Sequence, residues 1–294
     1  VGEQLKSITV SSVARDLYRA TFKLLVILQH DSPDYVAANH TKLCASVPPH
    51  CTQLINTILA ANPQQSFNKT SDGYQDESRA LAGGVEEATA ILQESGLLGL
   101  VEQAMQNEPS EDVLAQIAHA ITQDAENATG YGHYPVMVNT RLIGALVALI
   151  SGRVARAQQA GTSVEVTGGE PEVATLSLLV HEVSPVARYY LLSSIVNQLR
   201  FPNVSTEFFS QVLLYVFGKD MSDPEETEIR QDITRIILER LTGYWPQPWG
   251  LMCTVIELLK NEKYMFFDLP FIKADPDVSV LSLLGCGRLE NKFG

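Results

Sequence analysis

Along this chain apolar residues recur at three- and four-residue intervals in segment after segment, and sustained two-residue alternation bounded by hairpin turns is hard to find. That pattern predicts an all-α protein. The clearest segment opens at Asp223, where Asp-Pro-Glu-Glu supplies an N-cap, a first-turn proline and Glu226 at the capping-box position. Ile229, Ile233, Ile236, Ile237 and Leu241 follow as one stripe. Glu226 with Arg230, and Arg235 with Glu239, stand four apart on the face expected to be wetter, and Gly243 is placed to end the helix.

Ser32-Pro33 and Ser184-Pro185 open further helices. The first carries Val36, His40, Leu43 and Val47, the second Tyr189, Leu192, Val196 and Leu199. Val204, Phe208, Val212 and Val216 mark another helix, and Leu251, Val255, Ile256 and Leu259 one more after Trp245-Pro-Gln-Pro-Trp249. Many helices with brief connections predict HEAT-like stacked antiparallel helical hairpins, an α-solenoid, although no strict repeat signature is visible. We expect one continuous domain over residues 1–294, with flexible loops near 62–84 and 160–170.

Composition narrows the function classes. The 294 residues are 45% apolar, enough for a sizeable core, and their formal net charge of -13 disfavours a phosphate backbone as the main partner. Between Arg79 and Arg141 there is no Lys or Arg, while nine acidic residues from Glu86 to Glu126 fall inside. One flank should carry a negative field, read either as a solubilising surface or as a dock for a basic partner.

The apolar run from Leu142 to Ile150, broken only by Gly144, is far short of the ~20 residues of a membrane span, so we expect a soluble chain with no membrane association. Its start at Val1, without a signal-peptide pattern, is read as that of an excised piece of something longer. Four dispersed cysteines do not make a disulfide framework and suit a reducing compartment. Glycosylation-type triplets at Asn39, Asn68, Asn127 and Asn203 are discounted for want of a secretory signal.

The search for chemistry gives little. His40, Cys44, His50 and Cys51 lie close in sequence, and His40 with Cys44 would share a helix face, but the spacing fits no standard zinc pattern and a core histidine with small buried thiols explains them better. His181-Glu182 lacks the second histidine of a zinc-protease helix, and neither a nucleophile elbow nor a phosphate-cradling loop occurs. The pairs Glu111-Asp112 and Glu225-Glu226 read as first-turn residues that complement helix dipoles. No catalytic residue, metal site or cofactor is expected. Asn197-Gln-Leu-Arg-Phe-Pro-Asn203 and Tyr244-Trp-Pro-Gln-Pro-Trp249 bring aromatic residues and Arg to Pro turns, as docking surfaces do and as packing seams between helices also do.

Those same segments carry a resemblance. Tyr190-Leu-Leu-Ser-Ser-Ile-Val-Asn-Gln-Leu-Arg-Phe-Pro-Asn203, Phe208-Phe-Ser-Gln-Val-Leu-Leu-Tyr-Val-Phe217, Ile233-Thr-Arg-Ile-Ile-Leu-Glu-Arg-Leu241 and Pro246-Gln-Pro-Trp-Gly-Leu-Met-Cys-Thr-Val-Ile-Glu-Leu-Leu-Lys-Asn261 closely resemble the C-terminal domain of the large NOT scaffold subunit. That subunit organises the CCR-NOT deadenylase complex. Leu28-Gln-His-Asp-Ser-Pro-Asp-Tyr35, Pro48-Pro-His-Cys-Thr-Gln-Leu-Ile55, Ile58-Leu-Ala-Ala-Asn-Pro63 and Arg141-Leu-Ile-Gly-Ala-Leu-Val147 look like further helices of the family. From Gln64 to about Gly132, and from Ala157 to Val183, the chain departs from the pattern.

The resemblance implies a non-catalytic HEAT-repeat scaffold for mRNA deadenylation, decay and translational repression. It implies that the domain docks the two smaller NOT-box subunits and, in some lineages, a RING-type ubiquitin ligase subunit or mRNA-bound repressor proteins. Location in the cytoplasm, including mRNA-decay bodies, and in the nucleus goes with it. Matched positions nominate Asn197, Gln198, Arg200, Phe201, Phe208, Trp245 and Trp249 as partner-binding residues. The alternative from another class is an RNA-binding helical solenoid, which would need a basic concave face with exposed aromatics.

Overall fold

In the computed structural model, residues 11–48, 50–63, 84–106, 109–122, 138–161, 166–219, 223–243 and 247–274 are described. They contain helices and no strand, and the helices stack as a HEAT-like solenoid. In chain order these are α1 (Ser12–Asp31), α2 (Pro33–Ala38), α3 (His40–Ala45), α4 (Thr52–Leu59), α5 (84–94), α6 (Leu98–Ala104), α7 (Glu111–Ile121) and α8 (Thr140–Gln159). Then come α9 (Pro171–Glu182), α10 (Pro185–Val196), α11 (Val204–Phe217), α12 (Pro224–Leu241), α13 (Trp249–Lys260), two 3-10 turns and α14 (Pro270–Lys273).

Local chemistry sets the helix starts. The side chains of Ser11, Ser110, Asn139, Ser184, Asn203 and Asp223 each accept a hydrogen bond from a backbone N–H of the first turn, satisfying donors that the helix itself leaves unpaired. Asn203, the start of one glycosylation-type triplet, also donates from Nδ2 to the Phe201 carbonyl, so both ends of its amide serve the turn before α11.

The helix expected from Ser32 onward is two helices. The chain kinks at Asn39, whose amide donates to the Tyr35 carbonyl and competes with continued helix, so α2 stops and α3 starts on a new axis. A second correction concerns Glu226 and Arg230, which are buried, with 7% and 1% of their surface exposed. Arg230 donates from Nε to the Phe217 carbonyl at 2.8 Å, placing its charge on the negative end of α11. Glu226, instead of closing a capping box, faces His181 Nε2 at 2.9 Å and Lys219 at 3.8 Å. Arg235 and Glu239 do pair on the outside of α12, at 2.9 Å.

Two apolar clusters result. The larger one runs from α5 to α14 and is centred on Val173, Leu176, Leu191, Phe209, Val212, Ile229 and Ile233. The smaller one joins α1 to α4 through Leu25, Val36, Leu54, Ile55, Ile58 and Leu59. Each helix buries one face, so the predicted stripes at Ile229–Leu241 and Val204–Val216 point inward. No helix among the described residues is long and apolar enough to cross a membrane. The basic-poor segment is partly neutralised from outside it, by Lys42 on Glu87 at 3.0 Å and Arg141 on Glu94 at 3.4 Å.

Candidate protein-docking surface

Where the smaller cluster meets the larger one, α3 lies on α8 and α4 lies on α12, and the boundary is polar. Arg200 donates from Nη1 to the Ala37 carbonyl at 3.0 Å, and His40 Nδ1 meets the same oxygen at 2.9 Å. Arg240 donates from Nη2 to Asn197 Oδ1 at 2.7 Å, and Gln198 is within hydrogen-bond reach of His40. These polar groups are taken out of water, and each bond compensates part of that cost.

The electrostatics follow from burial. Removal from water, with Arg200 alongside, holds the half-buried His40 well below its ordinary value. Burial pushes the Cys44 thiol up to about 12, against the opposing pull of Arg240 and Arg200, which leaves it protonated and unreactive. Among the described residues no three His, Cys, Asp or Glu side chains converge as a metal site would require.

The nominated partner-binding residues therefore divide. Asn197, Gln198 and Arg200 have their side chains committed to this seam. Phe208 is buried in the larger core, edge-on to Phe209 with ring centroids 5.2 Å apart. Phe201 is half-buried, its ring 5.0 Å from the Arg200 guanidinium carbon. Trp249 is 52% exposed at the start of α13. Trp245 lies outside the described residues.

The backbone that follows Trp249 is fixed by hydrogen bonds. The next two N–H groups, of Gly250 and Leu251, donate to the carbonyls of Arg200 and Leu199 at 2.6 and 3.2 Å. That stitches the first turn of α13 to the 199–203 bend, where Thr206 Oγ1 also donates to the Phe201 carbonyl. Trp249, Phe201 and the exposed Pro202 thus share one rigid corner of the solenoid. An exposed Trp on a fixed frame loses little entropy on binding, which is the property of an interface anchor.

A second feature is not legible in the sequence. A groove of about 450 Å³ lies between α10, α12 and residues 50–52, lined by Tyr189, Tyr190, Arg235, Glu239 and His50 among others. Tyr189 donates its hydroxyl to Glu239 at 2.5 Å, and Arg235 bonds the other oxygen of that carboxylate while stacking 5.2 Å from the Tyr189 ring. Burial, reinforced by Glu239, raises the Tyr189 phenol to about 12. The signal was present as Arg235 and Glu239 at helical spacing, but nothing in α12 alone announces that α10 supplies the aromatic floor.

Comparison with known proteins agrees with the helical fold. The chain is 30% identical over 291 residues to the CCR4-NOT transcription complex subunit let-711 of Caenorhabditis elegans, covering 94% of this chain and 10% of that protein. The chain thus spans about a tenth of that relative's length. The solved NOT1 superfamily homology domain from Chaetomium thermophilum is 46% identical, with a TM-score of 0.80, over 96% of this chain and 55% of that one. A structure of a Not1 C-terminal domain in complex with Not4, 23% identical and with a TM-score of 0.74, covers 90% of this chain and 54% of that chain and shares the fold. Residues 1–283 match the family described as CCR4-Not complex component, Not1, and the chain belongs to that family.

Proposed function

We propose that this chain is a protein–protein interaction scaffold of the CCR4-Not complex. It acts in mRNA deadenylation, decay and translational repression by holding partners, while hydrolysis is carried out by other subunits. The observation that carries the reading is the Not1 family match over residues 1–283, joined to a rigid helical frame that displays Trp249 at one corner. The partners are the smaller NOT-box subunits, with a RING-type subunit and mRNA-bound repressors as further ones. The relative solved in complex with Not4 supports docking of other subunits on this fold.

The reading takes residues 1–294 as one continuous domain, supported by the hydrogen bonds that cross between the two apolar clusters. It places the chain in the cytoplasm, including mRNA-decay bodies, and in the nucleus. Within the nominated set, Trp249 and Phe201 make direct contact. Asn197, Gln198, Arg200 and Phe208 act by holding the 197–208 segment in place. The test is a pull-down of the purified chain from cell extract, with RNase added to a parallel sample. Recovery of NOT-box subunits from both samples is the expected result. Loss of all partners with RNase would overturn the scaffold in favour of an RNA-binding solenoid, which the net charge of -13 already disfavours.

A further inference from the structure

The outward face of α12 carries Glu225, Glu228, Asp232 and Glu239, spaced so that all four stand along one side of the helix. Two guanidiniums answer them. Arg188, itself buried, approaches Glu225 and Glu228 only to 3.9 and 3.8 Å, and Arg235 is tied to Glu239. The rail keeps an excess of negative charge. Beside it, α10 presents the half-buried Tyr190, which lines the groove with Tyr189, and one helical turn before it Val186, 45% exposed. An apolar and aromatic floor runs along an acidic rail.

We propose that this groove docks a basic amphipathic segment of a partner protein, its Lys or Arg side chains on the α12 rail and its apolar side chains on Val186 and Tyr190. The proposal rests on the scaffold reading and names the chemistry of one partner. Three features favour that occupant. The charge excess complements a basic segment and gives it a faster encounter. The floor is preorganised, because Tyr189 is fixed by Glu239 and packs edge-on to Tyr190 at 5.7 Å, so little side-chain freedom is lost on binding. Arg235 over Tyr189 shows that a guanidinium fits against these rings. A nucleic acid could use the same aromatic faces, but its phosphates would meet the carboxylates of α12.

The probe is a fluorescein-labelled helical peptide of Lys and Leu carrying one photo-crosslinking residue, compared with its Glu-for-Lys counterpart and a labelled oligo(A) RNA. Each is titrated into the 294-residue chain by fluorescence anisotropy. Only the Lys peptide should bind, more weakly as salt rises, and its cross-links should fall on α10 and α12. Glu228→Gln with Asp232→Asn should weaken it by about tenfold, as should Tyr190→Ala, each checked for unchanged helicity. Equal binding of the Glu peptide, preference for the RNA, or cross-links elsewhere would overturn the proposal. So would unaltered affinity in the folded variants. If these groove variants fail to weaken the probe while NOT-box subunits are still recovered, the groove assignment falls and the scaffold stands. If no subunit is recovered, the scaffold reading fails first.

Discussion

Asn56 Nδ2 donates to the backbone carbonyl of Arg240 at 2.7 Å, joining α4 to the last turn of α12 across 184 residues of sequence. The same Arg240 reaches Asn197 with its guanidinium, so one arginine connects three helices while only 3% of its surface is exposed. Asn56→Ala leaves a buried carbonyl without its partner and is expected to destabilise the fold by about 1–3 kcal/mol. The loss should localise. Hydrogen exchange should accelerate in α1 to α4 before it does in α9 to α12. Arg240→Met, which removes the buried charge with its desolvation penalty and keeps the volume, should lose less stability than Arg240→Ala.

His40 supplies the pH dependence. Its folded value lies below the ordinary 6.5, so the unfolded chain takes up its proton first as the solution is acidified. The contribution is fully present above about pH 6.5 and is lost as the pH falls from there toward the folded value, by at most about 1.4 kcal/mol per pH unit for one proton. Urea titrations of the wild type and His40→Gln over this range isolate the term, because the other histidines are common to both. The variant should show the shallower acid slope, and parallel slopes would remove His40 from the account.

Much of this fold is legible in local chemistry. Ser184-Pro185 and Asp223-Pro224 start helices as their residue types dictate, and the Ile229–Leu241 stripe faces the core. What the sequence hides is which polar residues on those helices are enclosed by other helices. Arg240 stands beside Leu241 on the spacing of the apolar stripe, a weak sign of burial, whereas Arg230 is enclosed because the end of α11 needs a cation. Asn197 and Arg200 stand out in the sequence as polar residues at a Pro turn, but their side chains reach inward to Arg240 and Ala37, contacts no local pattern records. Trp249 stands open at the start of α13, beside a Gly250 whose N–H is bonded to the Arg200 carbonyl, a junction that sequence spacing does not reveal.

At Gly250 an added Cβ would stand 2.8 Å from the Leu199 carbonyl carbon and 3.0 Å from the Arg200 carbonyl oxygen. Both are backbone atoms inside the α13 stitch and cannot rotate away. Gly250→Ala should therefore cost about 1–3 kcal/mol in chemical denaturation, as overpacking does. It should also weaken subunit capture through Trp249 in proportion to the displacement of α13.

Trp249 and Arg200 should separate by experiment. Trp249→Ala removes a side chain that is half in solvent, so stability should change by no more than about 0.5–1 kcal/mol while recovery of partner subunits falls at least tenfold. Arg200→Ala breaks the link to Ala37 and should cost about 1.5–3 kcal/mol of stability. Its effect on binding should vanish at temperatures where the variant is fully folded. Isothermal titration on folded samples distinguishes the two, and a purely structural Trp249 would lose stability with binding unchanged.

Helix α1 carries an unusual outer face. Val13, Leu17, Leu24 and Ile27 are all exposed and, with Ala20, repeat at the alternating four and three of a coiled-coil seam, while Ala14 and Leu25 point inward. A contiguous apolar stripe along a 20-residue helix is not left in water without consequence. The purified chain should self-associate as its concentration rises, with α1 against α1. Leu24→Glu combined with Ile27→Glu should return it to a monomer in sedimentation velocity. Because both side chains are already exposed, the melting temperature should hardly move. A double variant that still associates would show that another face, with the Trp249 corner the first to examine, carries the contact.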